Sequence, residues 1–128
     1  MLQLTFIKYY YLYSNLIFSH FMNICDLLMQ SVLHDWGDED CVKILKNCQK
    51  TVSDKGKVII VDIVLQPEGN ELLDDSKLAC DLLMMAHSVG GKERTENEWK
   101  KLLKEAGFAR YNIISIPTLV SIIEAFPN

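Results

Sequence analysis

Glycine is scarce in this 128-residue sequence: there are six, and none precedes Gly37, so no glycine-rich loop of the kind that cradles phosphates occurs before that point. The four cysteines, Cys25, Cys41, Cys48 and Cys80, form no Cys-x-x-Cys pair and have no histidine near them at metal-ligand spacing. This argues against a zinc module and against a disulfide framework, and it suits a reducing cytosol. A basic surplus is also missing. Thirteen Lys and Arg face seventeen Asp and Glu, a net charge of -4 with no basic stripe to neutralise phosphates, so nucleic acid is not an expected partner.

No long hydrophobic run is present either. Residues 1–23 hold seven of the twelve aromatics (Phe6, Tyr9, Tyr10, Tyr11, Tyr13, Phe18 and Phe21). Tyrosine, asparagine and serine interrupt this stretch before it reaches the roughly 18 apolar residues that a membrane span needs. Lys8 follows an apolar segment instead of preceding one, and no small-x-small cleavage site follows, which argues against an ordinary secretory signal. No internal repeat occurs.

What remains is an alternation of strand and helix patterns in a length suited to one domain or part of one, able to bury roughly two thirds of its unfolded surface. Asp26–Leu33 is a largely apolar run of strand length. After it, Cys41, Ile44, Leu45, Cys48 and Val52 recur at helical spacing. Asp38, Glu39 and Asp40 place carboxylates at the positive end of that helix, Lys50 falls near its other end, and Ser53-Asp54-Lys55-Gly56 stops it. Lys57–Val64 is β-branched and almost wholly apolar, as a central parallel strand should be, so strand, helix and strand make a right-handed crossover.

A loop at 66–70 leads to a helix from Asp74 or Asp75 through Leu78, Leu82, Leu83, Met85 and Ala86, released by Gly90-Gly91. Met85 is expected to pack. Thr95 and Glu98 have capping-box spacing and start a helix whose Trp99, Leu102, Leu103 and Ala106 form its buried face, with Gly107 as the C-terminal cap. Strands over 110–116 and 119–125, turned at Pro117-Thr118, close the chain.

Two positions stand out chemically. His34 falls where the first strand gives way to the first helix, the rim at which open α/β sheets bind ligands. Asp62 is one of few polar groups in its strand, and a lone buried carboxylate is costly without a partner.

The stretch Leu33-His34-Asp35-Trp36, its acidic triplet, and Cys41-Val42-Lys43-Ile44-Leu45-Lys46-Asn47-Cys48 resemble plant small-molecule O-methyltransferases, the S-adenosylmethionine-dependent family acting on phenylpropanoids, flavonoids and isoflavonoids. Gly90-Gly91-Lys92-Glu93-Arg94-Thr95 matches a second family motif in the same order and at about the same spacing. The resemblance implies the C-terminal part of an α/β, Rossmann-like methyltransferase sheet over residues 25–128: parallel strands, covering helices and a terminal antiparallel pair. Residues 1–24 form an aromatic-rich segment outside it.

By the same resemblance His34 is the general base that takes the proton of a phenol, a task suited to a side chain titrating near neutrality. Asp62 and Glu93 would orient it. Where the family usually has glutamate, Asp62 is one methylene shorter, so a small main-chain shift or a water is expected to close the gap to His34. Met84 and His87 fall in the segment that lines the phenolic pocket. Gln30 stands where the family commonly places a lysine near the cofactor, and offers hydrogen bonds without charge. No metal is expected.

The family's dimerisation domain, glycine-rich cofactor loop and acidic residues for ribose and adenine do not occur before His34. The expectation is therefore a truncated gene product, cytoplasmic, that binds S-adenosylmethionine poorly and has little or no activity alone. The competing expectation is a non-catalytic protein that associates with a full-length methyltransferase. Flavonoid, isoflavonoid, stilbene and hydroxycinnamate acceptors all remain open.

Overall fold

A computed structural model describes residues 26–52, 55–69 and 72–127. The aromatic-rich segment and Cys25 lie outside the described residues. The elements in order are β1 (Leu27–Gln30), a single 3-10 turn (Leu33–Asp35), α1 (Asp38–Thr51), β2 (Val58–Asp62), β3 (Val64–Leu65), α2 (Asp74–His87), β4 (Arg94–Thr95), α3 (Glu96–Glu105), β5 (Phe108–Ser115) and β6 (Ser121–Pro127).

The main sheet has the order β1-β2-β6-β5. β1 and β2 are parallel, with Leu27 opposite Val58 and Gln30 opposite Val61, and α1 supplies the crossover between them. β6 runs antiparallel to both β2 and β5, Ile123 lying opposite Ile60 on one side and Ile113 on the other. This is the mixed α/β arrangement that the sequence pattern implies.

The sheet is covered on both faces at β2, which is why that strand reads as a hydrophobic run up to Asp62 with every residue buried. Met29, Val58, Ile60, Ile123 and Ala125 pack with Leu45 and Cys48 of α1 and with Trp99, Leu102 and Leu103 of α3. Leu28, Ile59, Val61 and Ile122 form a separate cluster. Cys41 and Cys48 are buried as small core side chains, and burial pushes both thiols up to about 11.

β1 is shorter than the apolar run suggests. Ser31 adopts a left-handed φ of 51°, and the chain then winds into the 3-10 turn, so His34 sits one turn beyond the strand end. β2 likewise breaks at Ile63, and β3 then pairs in parallel with β4 as a separate ribbon. β5 and β6 each lie about two residues from the sequence expectation, spanning Phe108–Ser115 and Ser121–Pro127.

The capping box at α3 is formed. The Thr95 hydroxyl accepts from the Glu98 amide, and the Glu98 carboxylate accepts from the Thr95 amide at 2.8 Å. Thr95→Ala is expected to lower stability by about 1 kcal/mol, read as a reduced urea midpoint at unchanged slope. An unchanged midpoint would show that the cap adds nothing. Met85, expected to pack, is instead more than half exposed on α2, because that helix turns Leu78, Leu82 and Leu83 outward with it. None of the described helices is long and apolar enough to cross a membrane.

Candidate active site

Three segments meet at the carboxyl ends of β1 and β2, and backbone pairing brings them there. His34 follows β1, and the Ser31 amide donates to the Val61 carbonyl at 3.0 Å, which sets that turn beside the end of β2, where Asp62 lies. Glu93 directly precedes β4, and the pairing of Val64 with Arg94 in the β3–β4 ribbon carries it to the same place. The Lys92 amide donates to the His34 carbonyl at 2.9 Å. That approach needs Gly91: a β-carbon there would stand 2.8 Å from the His34 carbonyl oxygen and 2.7 Å from the Ser88 side chain.

His34 Nδ1 lies 2.9 Å from Glu93 Oε1 and 3.7 Å from Asp62 Oδ1. The carboxylates are acceptors, so Nδ1 carries the proton and donates to Glu93, leaving the Nε2 lone pair free to accept one. Asp35 Oδ1 stands 3.7 Å from Nε2. The imidazole side chain keeps 18% exposure, whereas Asp62 and Glu93 are 1% and 3% exposed. The aspartate for glutamate difference at 62 thus appears as an ion-pair contact longer than a hydrogen bond, and Glu93 is the direct partner.

The electrostatics follow from that burial. The Glu93 hydrogen bond raises the His34 pKa most, partial burial opposes it, and the charges of Asp62, Glu93 and Asp35 add to the rise. A more basic imidazole is better matched to a phenolic proton. Desolvation pushes the Asp62 carboxyl up to about 7, against the lowering effects of His34, Arg94 and the Leu33 backbone amide.

Sequence reasoning gave Arg94 no role, yet it holds the site together. Wholly buried, it donates to the carbonyls of Leu33 (3.0 Å), Lys92 (3.3 Å) and Trp36 (2.8 Å) and to Asp38 Oδ1 from both Nε (3.1 Å) and Nη2 (2.9 Å). Leu33 and Lys92 immediately precede His34 and Glu93. One guanidinium therefore ties the turn bearing the imidazole to the turn bearing its carboxylate. Its planar fork of five donors makes this possible. The Cys41 thiol reaches two of the same carbonyls, Leu33 at 3.2 Å and Trp36 at 3.4 Å. Asp81 of α2 also went unremarked; its Oδ1 accepts from the Glu93 amide at 2.8 Å.

Gln30 is half-buried on β1, Met84 half-buried on α2 and His87 exposed at the end of α2. Among the described residues, no hydrogen bond or ion pair joins these three side chains to His34, Asp62 or Glu93. The end of α2 approaches the site through Ser88, whose hydroxyl lies 3.5 Å from Asp35 Oδ1.

Residues 17–109 match the O-methyltransferase domain family. The chain belongs to that family. Xanthohumol 4-O-methyltransferase from Humulus lupulus is 59% identical over 103 residues, which are 80% of this chain and 28% of that protein. (R,S)-reticuline 7-O-methyltransferase from Papaver somniferum is also 59% identical, over 104 residues covering 80% and 29% of the two chains. The chain therefore spans under a third of the length of these O-methyltransferase relatives. Among solved structures, a methyltransferase of calicheamicin biosynthesis in its SAH-bound form matches with a TM-score of 0.70 and 32% identity, covering 80% of this chain and 30% of that one. Human N-acetylserotonin methyltransferase, solved with SAM, shares the fold at a TM-score of 0.71 and 24% identity over 80% and 29% of the two chains.

Proposed function

We propose that this chain is the base-carrying part of an S-adenosylmethionine-dependent O-methyltransferase of plant secondary metabolism, acting in the cytoplasm on a phenolic hydroxyl. The observation that carries this is the hydrogen bond of His34 Nδ1 to the buried Glu93, with Asp62 behind it. Together they fix the tautomer in which Nε2 accepts a proton and stabilise the imidazolium that results. The names of the curated relatives, xanthohumol and reticuline O-methyltransferases, support a phenolic or alkaloid acceptor.

S-adenosylmethionine would supply the methyl group. That the described residues alone make no full cradle for it is our inference, supported by the glycines: none of Gly37, Gly56, Gly69, Gly90, Gly91 and Gly107 falls in a glycine-rich turn between a strand and the helix after it. By the family resemblance Gln30 is a candidate contact for such a ligand. The chemistry assigned to this chain is therefore confined to the proton: His34 removes it as the phenol oxygen becomes a nucleophile, and Glu93 and Asp62 hold the ring. Positioning the acceptor against the methyl donor would supply most of the rate.

A chimera tests this. Residues 26–128 would replace their counterpart in xanthohumol 4-O-methyltransferase, restoring the rest of a full-length enzyme. The chimera is expected to methylate a phenol, and His34→Gln in it to lose on the order of 100- to 10,000-fold in kcat at nearly unchanged KM. Equal turnover by the His34→Gln chimera would sink the assignment. The 128-residue chain alone is expected to show no calorimetric response to S-adenosylhomocysteine, and micromolar binding would overturn the statement about the cradle.

A second function, association with a full-length methyltransferase without catalysis, is favoured by one feature. Leu72, Leu78, Leu82, Leu83, Met85 and Val89 on and around α2 are all more than half exposed, a concentration of apolar surface that typically marks an interaction site. Co-purification with a catalytically silent relative, lost on Leu82→Glu, would support it.

A further inference from the structure

We propose that His34, Asp62 and Glu93 form a binding site for a divalent transition-metal ion of the zinc class, with the ion seated between His34 Nδ1 and one oxygen of each carboxylate. This does not depend on the methyltransferase assignment. The three residues offer donor atoms that all lie within 4.8 Å of one another. Two of the separations, 2.9 Å from Nδ1 to Glu93 Oε1 and 3.7 Å from Nδ1 to Asp62 Oδ1, bracket the roughly 3.3 Å between ligands placed tetrahedrally about an ion at about 2.0–2.1 Å.

A second observation points the same way. Asp62 Oδ2 and Glu93 Oε2 are both buried and have no hydrogen-bond partner among the described residues. Buried carboxylate oxygens with no protein donor call for another partner. The nearby cation is Arg94, whose bonds go to Asp38 and to backbone carbonyls and not to these two carboxylates. Two acidic groups thus share one imidazole, and a divalent ion would give their unpartnered oxygens a cation to face. One imidazole and two carboxylates suit zinc, cobalt and manganese, whereas calcium prefers oxygen alone. The ligands come from three separate segments, so no spacing motif announces them.

The ion would act on the imidazole's protons. Coordination through Nδ1 displaces the hydrogen that Nδ1 donates to Glu93, and a neutral ring then carries its proton on Nε2. That tautomer donates where the free one accepts. In any enzyme that used His34 as a base, the ion would therefore be a reversible inhibitor, released by chelation.

The test uses the whole 128-residue chain, stripped with chelator and kept reduced. Cobalt(II) is titrated in and followed by its visible absorption. One ion per chain is expected, with no thiolate charge-transfer band. Glu93→Gln and Asp62→Asn should each weaken binding at least tenfold, while Asp35→Asn leaves it unchanged. Because Asp62→Asn can also alter folding, nitrogen-15 spectra of the ring with zinc provide a readout in the unsubstituted chain: Nδ1 should shift as the ligand and Nε2 should carry the hydrogen. No binding below millimolar cobalt, a thiolate band, unaltered affinity in a folded Glu93→Gln chain, or zinc on Nε2 would each overturn the proposal.

Discussion

Replacing Arg94 with methionine is expected to cost about 3–5 kcal/mol of folding stability, the largest effect of any single substitution at this site. The side chain is wholly buried, and its removal leaves the Leu33 and Trp36 carbonyls without the guanidinium donors that reach them at 3.0 and 2.8 Å, and Asp38 Oδ1 without both of its guanidinium donors. Each lost bond to the guanidinium costs about 1.5–3 kcal/mol, partly offset because the Leu33 carbonyl still accepts from the Trp36 amide at 3.2 Å and the Cys41 thiol still reaches both carbonyls. Arg94→Lys keeps the charge and loses the fork, so it should recover less than half of the loss. Urea unfolding of the three proteins decides the matter. A methionine variant within about 1 kcal/mol of the parent would show that the carbonyl contacts contribute little.

In metal-chelated buffer, the chain is expected to be most stable near pH 5 and to lose several kcal/mol by pH 8. Burial raises Asp62 from 3.8 to about 7, so the folded state holds this proton more tightly than the unfolded chain does. Its contribution is fully present below pH 3.8 and is lost as pH rises through 7, an effect of about 4 kcal/mol at full extent. His34, also raised, acts in the same direction: its contribution is present below 6.5 and disappears as pH climbs through its folded value.

Glu98 and Glu124 work the other way. Glu98 is lowered by bonds to Lys92 and Thr95 that outweigh its burial, and Glu124 chiefly by its bond to Lys57. Each stabilises above pH 4.5 and ceases to do so as pH falls through its depressed folded value, which sets the acid side of the maximum. Asp62→Asn removes the dominant alkaline loss, so it should flatten the profile and exceed the parent in stability at pH 8. Denaturant titrations between pH 4 and 8 test this, and a parent profile that rises toward pH 8 would refute the assignment.

The sequence was most informative where local and long-range demands agree. Apolar residues at helical spacing and the signals at their ends placed α1 and α3 to within a residue or two, and Thr95 and Glu98 announced a cap that the structure forms. His34 and Glu93 were legible as a pair only through motif resemblance, because nothing local links residues 59 apart in the chain. Their meeting depends on the β3–β4 ribbon, two residues in each strand, too short to leave a periodic signal. Arg94 was hidden for a different reason. Charged residues are rarely fully buried unless paired, and its main partners are backbone carbonyls, which no side-chain pattern encodes. The α2 leucines misled in the opposite sense: apolar spacing predicts a covered face, whereas among the described residues that face is open.

The place of β6 in the sheet constrains how the molecule can be made. Ser121–Pro127 lies between β2 and β5, so among the described strands the one latest in sequence occupies an interior position. On a ribosome, β1, α1 and β2 emerge and can dock with one another first. β5 has no rung to join until β6 has left the exit tunnel. The nascent protein must therefore wait with the flank of β2 open, a template for pairing with a neighbouring nascent chain, and the final seven residues of the sheet close that gap in a single late event.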